Sequence, residues 1–224
     1  MYRRNFLLSS SCLALNMATF GLGNAESAGT VFNITWRDLN IGYSKINLTK
    51  KKNQLIFNAE VLINVNVLGI NVFNYSLVNE EVWENKNLQS LDSKVKIGSK
   101  DEFCRVSRTG NGFLVNGSSY IGVIKGNLAT TSYFTPDFLQ RNVWISTQNG
   151  KPLSVKSKFL GIKKISSSLG EISVNEWAVT GDLNINLYYD KNEQWVGSKF
   201  KVGGSTALFS LHKSIGNLNT MWNI

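Results

Sequence analysis

Histidine is all but missing from this chain: His212 is the single one in 224 residues. That excludes histidine-based metal clusters and leaves any Ser-His-Asp triad hanging on one residue near the C-terminal end of the last strand-like segment, where a surface or edge role is the expected one. Cysteine is almost as scarce. Cys12 and Cys104 are the only two, and Cys12 lies in a leader, so neither an intramolecular disulfide nor a thiolate metal site is available to the mature chain. Cys104 alternates with Phe103 and Val106 and reads as a small buried hydrophobe. Two prolines exclude a proline-rich linker. Charged residues at 17% beside 42% hydrophobic ones exclude a disordered chain and leave material for a sizeable core. No glycine-rich phosphate loop is present. Gly203-Gly204 lacks the spacing and the lysine of one, and fits a bulge or bend. No cofactor and no metal is expected.

What the chain has is alternation. From Asn53 to Leu68, Leu55, Phe57, Ala59, Val61, Ile63, Val65 and Val67 are apolar at every second position, with Asn58, Glu60, Asn64 and Asn66 between them. That is a long half-buried strand. Gly69 ends it and Val72 to Trp83 carries a second strand, making a long hairpin. An opening hairpin precedes it (Phe32, Ile34, Trp36, then Ile46, Leu48). Short strands follow at 88–97, 102–108, 112–115 and 120–124, and again at 153–164, 171–180, 183–189, 195–202 and 206–211. The pattern breaks once. Thr135-Pro136-Asp137 sets an N-cap threonine before a proline at the first helical position, so a short helix is expected over 136–141.

Ten or so antiparallel strands are too many for a flat sheet. The expected fold is mainly β: one antiparallel sheet curved into a half-barrel or barrel, with one short helix at its open side. The domains are a signal peptide over 1–25, one β-rich domain over 26–213 and a tail over 214–224, for which fraying is the default unless Trp222 docks it.

Residues 1–25 have a leader's design: Arg3-Arg4, an apolar run through Leu22, and small residues at Gly23 and Ala25, where cleavage is expected. Arg3 and Arg4 followed by Asn5, Phe6 and Leu7 resemble the twin-arginine export motif, although the basic residue that often follows the leucine is missing. The run is too short and too interrupted for a membrane span, so no transmembrane segment is expected after cleavage. The serines at 9–11 do not make a lipobox for Cys12. The expected location is the periplasm or the outside of a bacterial cell. There the sequon matches at Asn33, Asn47, Asn74 and Asn116 are chance. The net charge of +9 falls to +7 without Arg3 and Arg4. It is spread over many strands, which suits weak attraction to anionic envelope components and not a nucleic-acid site.

Three functional readings follow. A curved sheet with an apolar concave face, capped by a helix, would hold an apolar small molecule or lipid, lined by Trp83, Tyr133, Phe134, Phe138 and Trp144. Alternatively these aromatics fill the core and the surface binds another envelope protein. A carboxylate-based hydrolase would draw on Asp137, Asp182 and Asp190, which sit at turns near aromatics, where aspartates usually have conformational roles.

Tyr75 with Glu81-Val82-Trp83, Leu88-Gln89-Ser90-Leu91-Asp92-Ser93, Ser132-Tyr133-Phe134-Thr135-Pro136 with Leu139, Leu187-Tyr188-Tyr189-Asp190 with Trp195-Val196-Gly197, and Gly203-Gly204-Ser205 together resemble an uncharacterised family of exported bacterial proteins, domain of unknown function 6134. The likeness spans most of the mature chain. Where the family tends to carry Tyr-Trp-Asn-Pro, this chain has Tyr133-Phe134-Thr135-Pro136. The resemblance implies secretion and a β-rich fold and supplies no activity. By looser analogy, such sheets resemble the half-barrels of envelope lipoprotein carriers, which hold acyl chains between sheet and helix.

Overall fold

The alternation becomes fifteen strands. The computed structural model describes residues 26–110, 112–202 and 204–223, except the side chain of residue 67. The signal peptide expected over 1–25, with Arg3, Arg4, Phe6 and Leu7, lies outside the described residues, as does Gly203. The strands are β1 (Ser27–Trp36), β2 (Leu39–Lys51), β3 (Gln54–Val67), β4 (Ile70–Glu84), β5 (Asn87–Ile97), β6 (Lys100–Thr109), β7 (Gly112–Gly117), β8 (Ile121–Ile124), β9 (Ala129–Thr130), β10 (Val143–Ile145), β11 (Pro152–Ser167), β12 (Gly170–Gly181), β13 (Ile185–Asp190), β14 (Trp195–Val202) and β15 (Ser205–Ile215). They form one curved sheet in the order β8-β7-β6-β5-β4-β3-β2-β1-β15-β14-β13-β12-β11-β10-β9. Every pairing is antiparallel except the short parallel contact of β9 with β10. The first and last strands pair, with Trp36 opposite Ala207, and β8 and β9 are edges, so the sheet does not close.

Hairpin register puts the turns at two ends. One end carries the turns 37–38, 68–69, 98–99, 182–184 and the β14–β15 turn. The other carries 52–53, 85–86, 168–169 and 191–194. The segment 127–151 enters the concave side and fills the second end. Its 3-10 helix Pro136–Gln140 is capped by Thr135, whose Oγ1 accepts from the Asp137 amide at 3.3 Å. This is the helix expected from Thr-Pro-Asp. It lies inside the sheet's curve, where Arg141 anchors it by donating to the carbonyls of Leu128 and Lys86 and stacking on Trp83 and Phe138.

The strand β15 runs past 213 to Ile215, and the described part of the tail packs against the sheet. Asn217 caps α1 (Leu218–Trp222), the amide of Leu218 donates to Gln194 Oε1 at 2.7 Å, and Trp222 Nε1 donates to Asp137 Oδ2 at 2.6 Å. The Trp222 ring packs edge-on against Trp83 and Phe134 at 5.2 and 5.3 Å. A five-residue helix has little stability of its own, so its cap and the burial of Leu218, Met221 and Trp222 stabilise it.

Candidate functional site

Plugging one end of a half-barrel leaves the other end hollow. A cavity of about 890 Å³ opens among the turns of the first end. Its walls come from opposite arms of the sheet: Ala59, Val61 and Ile63 of β3 and Val72, Phe73, Tyr75 and Leu77 of β4 face Ile185, Trp195, Phe200, Ala207 and Phe209 of β13, β14 and β15. Apart from Val72, which lies at a register irregularity of the β3–β4 pair, these are inward positions of the strands, so the period that builds the sheet also makes the lining apolar. Thr131, Ser132, Tyr133, Ser146, Thr147 and Gln148 form a polar floor. The floor is fixed to the sheet: Ser93 Oγ donates to the Thr147 carbonyl, and Gln148 Nε2 donates to Glu102 Oε2 at 2.7 Å.

Of the five aromatics expected to line a ligand site, Tyr133 alone borders this cavity. Its backbone is left-handed (φ 56°), its ring packs 5.7 Å from Trp144 and 5.9 Å from Trp195, and its carbonyl accepts from Tyr189 Oη at 2.9 Å. Trp83, Phe134, Phe138 and Trp144 are fully buried beneath the floor. Trp83, Phe134 and Phe138 stack on one another and on Trp222, and Trp144 Nε1 donates to the carbonyls of Phe138 and Arg141. The aromatics near the helix therefore plug one end, while the hollow one is lined by aliphatic residues of β3 and a different set of aromatics, among them Phe73, Tyr75, Trp195, Phe200 and Phe209. The physical reason is that the helix lies within the curve and takes its aromatics with it.

The three candidate aspartates are separate and engaged. Asp137 holds Trp222 and sits 3.2 Å from Lys86. Asp182 Oδ2 accepts the Ser154 amide, and Asp190 Oδ1 accepts the amides of Asn192 and Gln194. Asp190 holds its own turn, Asp137 and Asp182 hold neighbouring segments, and Asp182 also borders the cavity. His212 is exposed, and Cys104 is buried, its thiol pushed up to about 12 chiefly by burial. Among the described residues no group of His, Cys, Asp and Glu could hold a metal ion.

One residue beside the floor escaped the sequence reading. Glu81 is completely buried, in phase with Leu77, Asn79 and Trp83 on the inward face of β4. Its carboxylate accepts from Asn79 Nδ2 at 2.9 Å, Trp83 Nε1 at 2.8 Å and Thr130 Oγ1 at 3.1 Å, with Ser132 Oγ at 3.4 Å. Burial pushes it up to about 7, against the lowering effect of these donors. Asn79 Oδ1 is buried with no partner, and Asn79 and Ser132 also contribute to the cavity lining. The signal was there, since period 2 places a glutamate among inward hydrophobes.

A family model described as Domain of unknown function (DUF6134) matches residues 32–212. Among solved structures, the chain is similar to the crystal structure of a beta-barrel-like protein of domain of unknown function DUF1849 from Brucella abortus, with a TM-score of 0.60 and 8% identity over 84% of this chain and 97% of that one. At that identity the likeness concerns the fold alone. No curated protein matches the sequence.

Proposed function

The chain belongs to the DUF6134 family, a domain of unknown function, and we propose from its geometry that it binds an apolar or lipid-like molecule without transforming it. The observation that carries this reading is the cavity. Its volume of about 890 Å³ lies inside the usual range of small-molecule sites, roughly 300–1,000 Å³, and such sites are mostly apolar with a few placed polar groups. Apolar walls above a floor of Thr131, Ser132, Thr147 and Gln148 suit an elongated molecule whose one polar group is oriented inward. A core packed throughout, with function only at the outer surface, would leave no such space. The leader's twin-arginine-like motif supports an export compartment, where apolar molecules need carriers to cross water. The spread of positive charge needs no nucleic acid to explain it.

The test is native mass spectrometry with lipid extraction on protein purified from its host's export compartment, with uptake of the fluorophore N-phenylnaphthylamine by the emptied protein. An apolar molecule at near-unit stoichiometry, and fluorophore uptake abolished by Ala59→Trp, are expected. Ala59 faces the cavity, so an indole there occupies the ligand's space. A clean apo mass with no uptake by the wild type overturns the reading.

A further inference from the structure

Among the described residues two buried side-chain oxygens lack a hydrogen-bond partner, Asn79 Oδ1 and Ser157 Oγ, and of the two residues only Asn79 belongs to the cavity lining. Asn79 is 2% exposed, on the inward face of β4 between Leu77 and Glu81. Its amide is not free to turn while Glu81 is ionised. A carboxylate only accepts, so Asn79 keeps Nδ2 on Glu81 Oε1 at 2.9 Å and holds its oxygen on the other arm of the amide. A buried acceptor left unpaired costs the empty protein the desolvation of that group. The cavity is where a partner could reach it.

The floor beside Asn79 is also short of protons. The hydroxyls of Thr130 and Ser132 lie 2.6 Å apart and reach Glu81 Oε2 at 3.1 and 3.4 Å. Whichever donates to which, their two protons are spent within that cluster, and Ser132, which lines the cavity, has only lone pairs left to offer. Thr131 and Thr147 differ. Their hydroxyls lie 2.9 Å apart with one proton between them, so the other remains to be donated. Burial raises the phenols of Tyr75 and Tyr133, which therefore stay protonated and can both give and take a hydrogen bond. The charged residues among the described lining are Asp182, in a turn at the open end, and Lys201, close to the end of β14, so no cation faces the floor.

We propose that the molecule held here is a long-chain alcohol whose hydroxyl donates to Asn79 Oδ1. This rests on the binding function proposed above and names the ligand class. A hydroxyl matches the floor in both directions, giving its proton to Asn79 and accepting one from the threonine pair. A carboxylate would set its lone pairs against Asn79 Oδ1, Ser132 Oγ and the ionised Glu81 behind them. An ammonium would have to leave water for an apolar-walled site. Glu81 would not receive it, being fully buried and already holding Asn79, Trp83 and Thr130. The depth suits a long chain, since Asn79 lies six residues along β4 from Phe73 at the rim, about 20 Å at ~3.3 Å per residue.

The experiment is displacement of N-phenylnaphthylamine from the emptied protein at a pH above the Glu81 value of about 7. Dodecanol, dodecyl methyl ether, dodecanoate and dodecylammonium are compared. Dodecanol should displace the fluorophore at a concentration roughly tenfold lower than the ether, which accepts a hydrogen bond but cannot donate one. It should also outcompete both ions. In Asn79→Leu the difference between alcohol and ether should disappear. That ratio is read within one protein, so a general loss of affinity does not imitate it, and the comparison on the wild type decides even where the variant fails to fold. Ether, dodecanoate or dodecylammonium binding as tightly as dodecanol overturns the proposal, as does an alcohol-to-ether ratio that survives in Asn79→Leu. In each of those cases fluorophore uptake leaves the binding function standing. No uptake by the wild type overturns both.

Discussion

Glu81 makes the stability of this protein depend on pH in a direction opposite to that of most carboxylates. The unfolded chain loses the Glu81 proton near the ordinary value of 4.5, whereas the folded chain holds it to about 7. Between those values the folded state binds the extra proton, so stability falls as pH rises through the window and levels off above 7. The gap corresponds to about 3 kcal/mol, and to a melting shift of roughly 6–12 °C for a chain of this length. The neutral acid also has a partner waiting, because rotating the Asn79 amide by 180° presents its orphan Oδ1 to the carboxyl proton. Glu81→Gln supplies a neutral group of the same shape at every pH, and its amide can donate to the same oxygen. Urea unfolding of wild type and Glu81→Gln between about pH 5 and about pH 8 is the assay. The wild type should lose about 3 kcal/mol relative to the variant across that range. Parallel pH profiles for the two proteins would refute the reasoning, since every other titrating group is common to both.

Trp144→Ala should lower stability by about 3–5 kcal/mol, since it empties a fully buried indole site and two hydrogen bonds; a thermal melt within a degree or two of wild type would contradict its placement beneath the floor. Gly42→Ala should disturb the β2–β3 register, because an added Cβ would lie 1.9 Å from the Leu62 carbonyl oxygen, and the loss should appear as faster amide exchange at residues 42–46 and 59–63.

The strand pattern was legible because the side-chain period of a sheet is strictly two, and β3 and β4 could be read almost residue by residue. The short helix was equally local, since Thr135 and Pro136 act on their own neighbours. The strands β7 and β8 were legible at 112–115 and 120–124, whereas β9 and β10 were not, because they are two and three residues long and pair with each other across the intervening helix segment. The sequence singles out Trp222 as the residue that could dock the tail, but its destination was illegible because Trp83, Phe134 and Asp137 are all far from it in sequence.

Sequence by itself determined the material of this protein, an alternating apolar face, turn chemistry at its ends, one histidine and two cysteines with little metal or nucleophile chemistry between them. Only the tertiary structure decided where the aromatics would go and where the hollow would be. Apolar periodicity states that a side chain faces inward but not what it meets there. The segment 127–151, by folding into one end of the curve, turned Trp83, Phe134, Phe138 and Trp144 into packing and left Ala59, Val61, Ile63 and their opposite numbers around an open cavity. Which inward residues pack and which line space is set by the path of that insert across the sheet, a long-range property that no local period encodes.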